Sequence, residues 1–230
     1  GVDLGSYAAD RTGEYSDLPL TSLRGKIIDL PGSFRVRLSS IDPVHLTDDL
    51  LDALSESDRF CPYLHVSIQS GSTLILKRMK RRYDREFLLD RLFAARQRID
   101  GLVLGADVMA GFPTESEQDY ADTLDVINRA QIIYPHVFCF SGRPGTPAAR
   151  IPRQVPRLER RRRAAMMRSA GEKLRRKALK EMVGQQASLI VERPDVGDKP
   201  AAYHGRLANY MPVRLEDPQK ALASEILVQI

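Results

Sequence analysis

The stretch "LHVSIQSGSTLILKRMKRR", Leu64 to Arg82, opens as a strand and closes as a basic helix, with the polar knuckle Gln69-Ser70-Gly71-Ser72 between. Leu64, Val66 and Ile68 alternate with His65, Ser67 and Gln69, the period of two of a strand with one buried face. Phe34 to Ser40 alternates in the same way, and apolar runs at Leu102 to Ala110 and His136 to Phe140 predict two further strands. Helical spacing fills the gaps. Leu46, Leu50, Leu51 and Leu54 share a face behind Thr47 as N-cap, with Leu46 against Leu51 as a staple. Phe87, Leu88, Leu92 and Ala95 do so between Asp84 and Arg98, and Tyr120, Leu124 and Ile127 between Ser116 and Gln131. Strand followed by helix, repeated, predicts parallel β/α units.

A parallel sheet covered on both faces has strands that are apolar throughout. Here Arg35, Arg37 and Ser39, then His65, Ser67 and Gln69, put polar groups on one face, so an α/β partial barrel with a ligand-lining inner face is expected. Four polar, Gly/Pro-rich segments follow the strands: Ser39 to Pro43, Gln69 to Ser72, Gly111 to Glu115 and Ser141 to Thr146. On one rim they would outline a site, with Gly71 and Gly111 letting backbone approach a ligand and helix starts offering amides to an anion or carboxylate. Ordinary turn chemistry explains any one of them taken singly.

The 230 residues are 43% hydrophobic, enough for a packed core, and no apolar run is long enough to span a bilayer, so a cytoplasmic protein is the default. Cys61 and Cys139, far apart and without CxxC spacing, read as reduced structural thiols, and two thiolates alone cannot hold an iron–sulfur cluster. The net charge of +5 is unevenly spread. Arg157 to Lys180 carries eleven Lys/Arg and two Glu, a local +9, leaving 5 − 9 = −4 for the rest. This segment reads as a helix with Met167, Ala170, Leu174, Ala178 and Met182 on one side and cations on the other. Such a face is either merely solvated or an RNA phosphate contact. Beyond Gly184, short strands at Ala187 to Glu192, Tyr203 to Asn209, Met211 to Leu215 and Glu225 to Ile230 predict a small all-β, OB-like barrel. The expected domains are therefore 1–183, including the basic helix 157–182, and 184–230.

"GVDLGSY" (1–7), "RLSSIDP" (37–43), "LHVSIQSGS" (64–72), "LKRMKRRY" (76–83), "ADVMAGFPTESE" (106–117) and "RPGTPAA" (143–149) together resemble the radical S-adenosylmethionine tRNA methylthiotransferases, most closely the branch acting on N6-threonylcarbamoyladenosine. The sequence after Gly184 is similar to that family's TRAM RNA-binding barrel. The resemblance implies methylthiolation at C2 of that nucleoside next to the anticodon, with S-adenosylmethionine and [4Fe-4S] clusters as cofactors. It implies a tRNA anticodon stem-loop and an electron donor protein as partners, and no membrane. Carried onto this chain, Arg37, Ser39, Gln69, Ser70, Gly111, Phe112 and Pro113 would line the cofactor pocket, with His65 and Ser67 as weaker candidates. Glu115 would either cap the next helix or touch ligand. Arg143 would pair with a cofactor carboxylate or an RNA phosphate, unless it is simply a surface residue, and Arg160, Arg161, Arg162 and Arg163 would meet RNA. No residue is assigned as catalytic or as a metal ligand, because the reaction is the cofactor's.

The sequence departs from the family pattern in lacking its CxxxCxxC loop, and in Tyr63, Ala8 and Gly142. The expectation is a C-terminal part of a longer enzyme, or a truncated reading frame, inactive alone. A non-catalytic RNA-binding protein on the same scaffold and a relative acting on a ribosomal protein are the alternatives.

Overall fold

The computed structural model describes residues 26–38, 40–194, 202–216 and 225–230. The motif at 1–7 and Ser39 lie outside them.

Four parallel strands, β1 (Ser40–Ile41), β2 (Tyr63–Gln69), β3 (Val103–Ala110) and β4 (Ile132–Cys139), form one sheet in chain order. Between and after them run α1 (Asp48–Ser55), α2 (Thr73–Arg78), α3 (Arg85–Arg98), α4 (Glu117–Arg129), α5 (Pro147–Arg150) and the long α6 (Arg157–Met182). Local chemistry fixes their starts. Thr47, Ser72, Asp84 and Ser116 each accept a backbone N–H from the first turn, and Ser116 closes a capping box with Asp119. Leu64, Val66 and Ile68 of β2 and Leu104, Ala106 and Val108 of β3 are buried in one core with Leu51, Leu88, Leu92, Ile127 and Met167 from the helices. The opposite face keeps His65, Ser67 and Gln69 half-buried, as the alternation requires.

In the parallel sheet, the first and last strands differ most from their predicted extents. The first is regular only at Ser40–Ile41; upstream, Val36 makes a single bridge to Phe60. Its polar residues turn elsewhere, Arg35 pairing with Glu225 and Arg37 stacking over Tyr210. β4 begins four residues earlier than predicted and runs through Pro135. It is an edge strand, where a missing N–H is tolerated, and Gly171 of α6 lets the helix approach the Pro135 ring closely.

A second, antiparallel sheet contains β5 (Gln186–Pro194), β6 (Tyr203–Leu207), β7 (Pro212–Leu215) and β8 (Glu225–Gln229), in the order β7-β6-β5-β8. Its Leu189, Leu207 and Met211 pack on Tyr63, Val103 and Ile133, the N-terminal ends of β2, β3 and β4. Tyr210 lies between two guanidiniums at this junction, Arg37 at 4.3 Å and Arg206 at 4.1 Å from its ring centroid. No helix among the described residues is long and apolar enough to cross a membrane.

Candidate functional site

The C-terminal ends of β2, β3 and β4 converge on a cavity of about 580 Å³. Gln69, Met109, Phe112, Phe140 and Ser141 come from the strand ends and the turns after them; Arg78, Met79, Lys80 and Arg81 come from the end of α2. Arg143, Thr146, Pro147, Ala148 and Ile151 complete the lining. Phe112 and Phe140 meet edge-on, 5.4 Å between centroids at 71°, and give the cavity an aromatic wall. Among the described residues, four cations and no carboxylate line it. Volume, apolar body and a few convergent polar groups are the features of a small-molecule site.

Gln69 reaches this cavity through an unusual backbone. Its φ is +61°, where a residue with a Cβ is disfavoured by roughly 1–2 kcal/mol, and the β2–β3 register shifts between Val66 and Gln69. The rest of the knuckle faces protein. Ser70 lies 3.2 Å from the Thr123 hydroxyl, Gly71 N–H donates to Thr123 Oγ1 at 2.9 Å, and the Ser72 hydroxyl donates to Asp119 Oδ1. Burial works against the charge on Asp119, but hydrogen bonds from Ser116 and Ser72 hold its carboxyl below the usual range. Arg85 braces the same junction, donating to the Asp122 carbonyl at 2.7 Å and pairing with Asp125. The knuckle thus fastens β2 to α4, and only Gln69 turns toward the cavity.

The third turn is built around a buried carboxylate. Glu115 neither caps α4 nor lines the cavity. Its Oε2 accepts Gly111 N–H at 2.9 Å and Arg163 Nη1 at 2.8 Å, with the two side chains 0% and 7% exposed. Burial pushes the Glu115 carboxyl up against the pull of Arg163 and Gly111. Gly111 holds φ +76°, and a Cβ there would run into the Arg160 side chain, so its openness serves α6 and not a ligand.

Of the sequence candidates, Gln69, Phe112 and Arg143 come together at the cavity. Gly111 and Pro113 flank Phe112 without lining it, Ser70 is sealed against α4, and Arg37 stacks over Tyr63 and Tyr210 at the far end of the sheet. The basic helix is divided. Arg162 pairs with Glu117 and Glu159, and Arg163 with Glu115, Glu117 and Glu159, so carboxylates already hold both. Hydrogen bonds from Arg162 and Arg163 keep the Glu159 carboxyl far down, at about 2. A carboxylate lowered on folding stabilises above its unfolded pKa and loses that contribution as pH falls through the folded one. Glu159→Gln is therefore expected to remove up to one proton from the pH dependence of urea unfolding between about pH 4.5 and 2. An unchanged slope would show that the pair is only screened surface charge.

On the inner sheet face His65, named from the sequence, belongs to a polar chain whose other members were not read as partners. Burial pushes the Tyr63 phenol to about 12, so it is a proton donor at neutral pH, and it lies 3.1 Å from His65 Nδ1. His65 Nε2 is 3.2 Å from Asp107 Oδ1, which is also 2.8 Å from His136 Nδ1. The available signal was Asp107 itself, an acid inside the apolar run of β3.

The chain's two cysteines are fewer than a cluster's thiolates, and no group of three His, Cys, Asp or Glu among the described residues could hold a metal ion. No cluster ligation is assigned to these residues. The cavity does fit a nucleoside-sized cofactor, in volume and in the pairing of an aromatic wall with Gln69 in the lining.

Comparison with known proteins finds relatives of this chain. The chain is 36% identical over 219 residues to threonylcarbamoyladenosine tRNA methylthiotransferase MtaB of Rickettsia prowazekii, covering 94% of this chain and 49% of that protein. It is 36% identical over 192 residues to tRNA-2-methylthio-N(6)-dimethylallyladenosine synthase of Corynebacterium urealyticum, covering 80% of this chain and 35% of that protein. The chain thus spans half or less of the length of these curated relatives. Among solved structures, coproporphyrinogen III oxidase (HemN) from Escherichia coli aligns with a TM-score of 0.48 at 16% identity, over 76% of this chain and 44% of that one. The Radical SAM superfamily model matches residues 12–127, half of the sequence and most of the parallel sheet with its knuckle and GFPTE turn, and the chain belongs to that superfamily.

Proposed function

We propose that this chain is the cofactor- and RNA-handling part of a tRNA methylthiotransferase, acting at C2 of N6-threonylcarbamoyladenosine beside the anticodon. The observation that carries the reading is the cavity at the strand ends, where Gln69 and an aromatic wall face a ring of Arg78, Lys80, Arg81 and Arg143. When bound, S-adenosylmethionine supplies the carbon radical and the methyl group that no side chain can provide. The chain's own residues bind and orient. Gln69 faces the cofactor, Met109, Phe112 and Phe140 exclude water, and of the rim cations Arg81 already pairs with Asp42, which leaves Arg78, Lys80 and Arg143 to hold RNA phosphate. With only two cysteines the chain taken alone is proposed to be inactive, its cluster ligands and electron donor coming from outside it.

The antiparallel sheet, 184–230, is proposed as a TRAM-like module for the anticodon stem-loop, with 1–183 as the partial barrel. It packs beneath the N-terminal ends of the strands, so this reading gives delivery over the rim to the cations around the cavity and leaves the sheet to hold the stem. The equal identity to a dimethylallyladenosine-modifying relative favours a second reading, in which that hypermodified adenosine is the substrate. Mass spectrometry of tRNA nucleosides from cells with and without the complete gene separates the two. Loss of 2-methylthio-N6-threonylcarbamoyladenosine supports the first reading and loss of the dimethylallyl counterpart the second. An unchanged profile sinks both, and restoration of the product by a complete gene carrying Gln69→Ala removes Gln69 from the cofactor site.

A further inference from the structure

Beside the cofactor cavity, at the end of β4, lies a second hollow of about 390 Å³ lined by Cys139, Phe140, Ser141, Arg157, Arg160 and Arg161. Among the described residues, three arginines line it and no carboxylate does. The acids of the helix start and of the third turn are taken: Glu159 and Glu117 pair with Arg162 and Arg163, and Glu115 with Arg163. Among the described residues, neither Arg157 nor Arg161 meets an acid. Arg160 donates through Nη1 to the Phe140 carbonyl, while its Nε is sealed from water with nothing to receive it. The Nη1 bond holds that guanidinium beside the hollow, where its charge acts on an anion through space. The helix start adds the same sign of potential, because Pro156 at the N-cap leaves the first turn without a side-chain cap.

The hollow shares Phe140 and Ser141 with the cofactor cavity. The Phe112–Phe140 wall therefore has cations on both sides, Arg78, Lys80 and Arg143 at the cofactor cavity and Arg157, Arg160 and Arg161 at the hollow, while Arg81 is held by Asp42. A single-stranded nucleic acid asks for this alternation: charge for its backbone, an aromatic face for its base. We propose that Arg157, Arg160 and Arg161, with Ser141, form a phosphate site that seats the RNA backbone beside the nucleotide entering the cofactor cavity. The proposal rests on the reading of the chain as RNA-modifying and goes beyond it. It assigns RNA contact to one part of the basic helix and withholds it from Arg162 and Arg163, whose partners are carboxylates.

The test uses the complete enzyme and an anticodon stem-loop RNA, with affinity measured by fluorescence anisotropy across a salt series. Arg157→Ala/Arg161→Ala removes two exposed side chains without ion-pair partners and is expected to leave the melting temperature unchanged. It should weaken RNA binding about tenfold and flatten the plot of log affinity against log salt by about 0.7 for each phosphate that is no longer neutralised. Lys173→Ala/Lys180→Ala removes the same charge further along α6 and should leave the slope alone. S-adenosylmethionine affinity should not change. A wild-type slope in the arginine variant overturns the site while leaving the RNA-modifying reading in place, and so does equal flattening in the lysine variant. Loss of S-adenosylmethionine affinity at a constant slope reassigns the hollow to the cofactor carboxylate. Failure of the wild-type enzyme to bind the RNA at all strikes the functional reading itself.

Discussion

Arg163→Ala is expected to destabilise the protein by about 3–5 kcal/mol, the range for removing one partner of a buried ion pair. The reason is what stays behind. Glu115 is fully buried, and with Arg163 gone its remaining partner is the single N–H of Gly111. The carboxyl, already raised by burial, rises further and takes up a proton that the unfolded chain holds less tightly. A carboxyl raised on folding stabilises below its unfolded pKa and loses that contribution as pH climbs through the folded one. The deficit of the variant should therefore shrink toward pH 5 and widen toward pH 8 in chemical denaturation. The double variant Glu115→Gln/Arg163→Met removes both charges and should recover much of the loss. A single variant within about 1 kcal/mol of wild type, or a double variant as unstable as the single, would mean the pair is not desolvated. The effect should also reach the cavity, because the Gly111 amide held by Glu115 adjoins Phe112 in its wall.

The two halves of this ion pair also mark where sequence reasoning stopped. The order of strands and helices was legible because it is written locally: alternation over Leu64 to Gln69, helical spacing over Leu46 to Leu54, and a cap at Thr47 that the structure uses. The convergence of Gln69, Phe112 and Arg143 was legible for the same reason, since parallel strands bring their C-terminal loops to one rim. What could not be read was who answers each charge. Eleven cations in one segment look alike until Glu115, 48 residues before Arg163, appears under one of them. Arg35 and Arg37 fit an alternating strand, yet Glu225 and Tyr210, more than 170 residues away, draw them out of it. The apolar run from His136 did not reveal that β4 starts at Ile132 and passes through Pro135, which its edge position and Gly171 behind it allow.

Gly71→Ala is expected to cost about 3 kcal/mol, at the upper end of the range for overpacking a filled interior. An added Cβ would lie 2.6 Å from both the Asp122 carbonyl oxygen and Thr123 Cα, and 2.8 Å from Val126 Cγ2. Two of those three atoms are helix backbone, so α4 must move as a body, and the bond from Gly71 N–H to Thr123 Oγ1 stretches with it. Val126→Ala in the same chain should rescue little, because the backbone contacts remain. Gly101→Ala is the matched comparison. Its φ is +66° but nothing lies within 4 Å, so only the roughly 1–2 kcal/mol of an L residue in left-handed backbone is expected. Denaturant midpoints that rank Gly71→Ala below Gly101→Ala in damage would refute close helix contact as the reason for the glycine. The larger loss at Gly71 would instead explain why the knuckle carries small residues at Ser70, Gly71 and Ser72: they let α4 press against the strand end. The strained backbone of Gln69, two residues before Gly71, is then held by that contact, and the aim of its amide into the cavity depends on a helix that never touches the ligand.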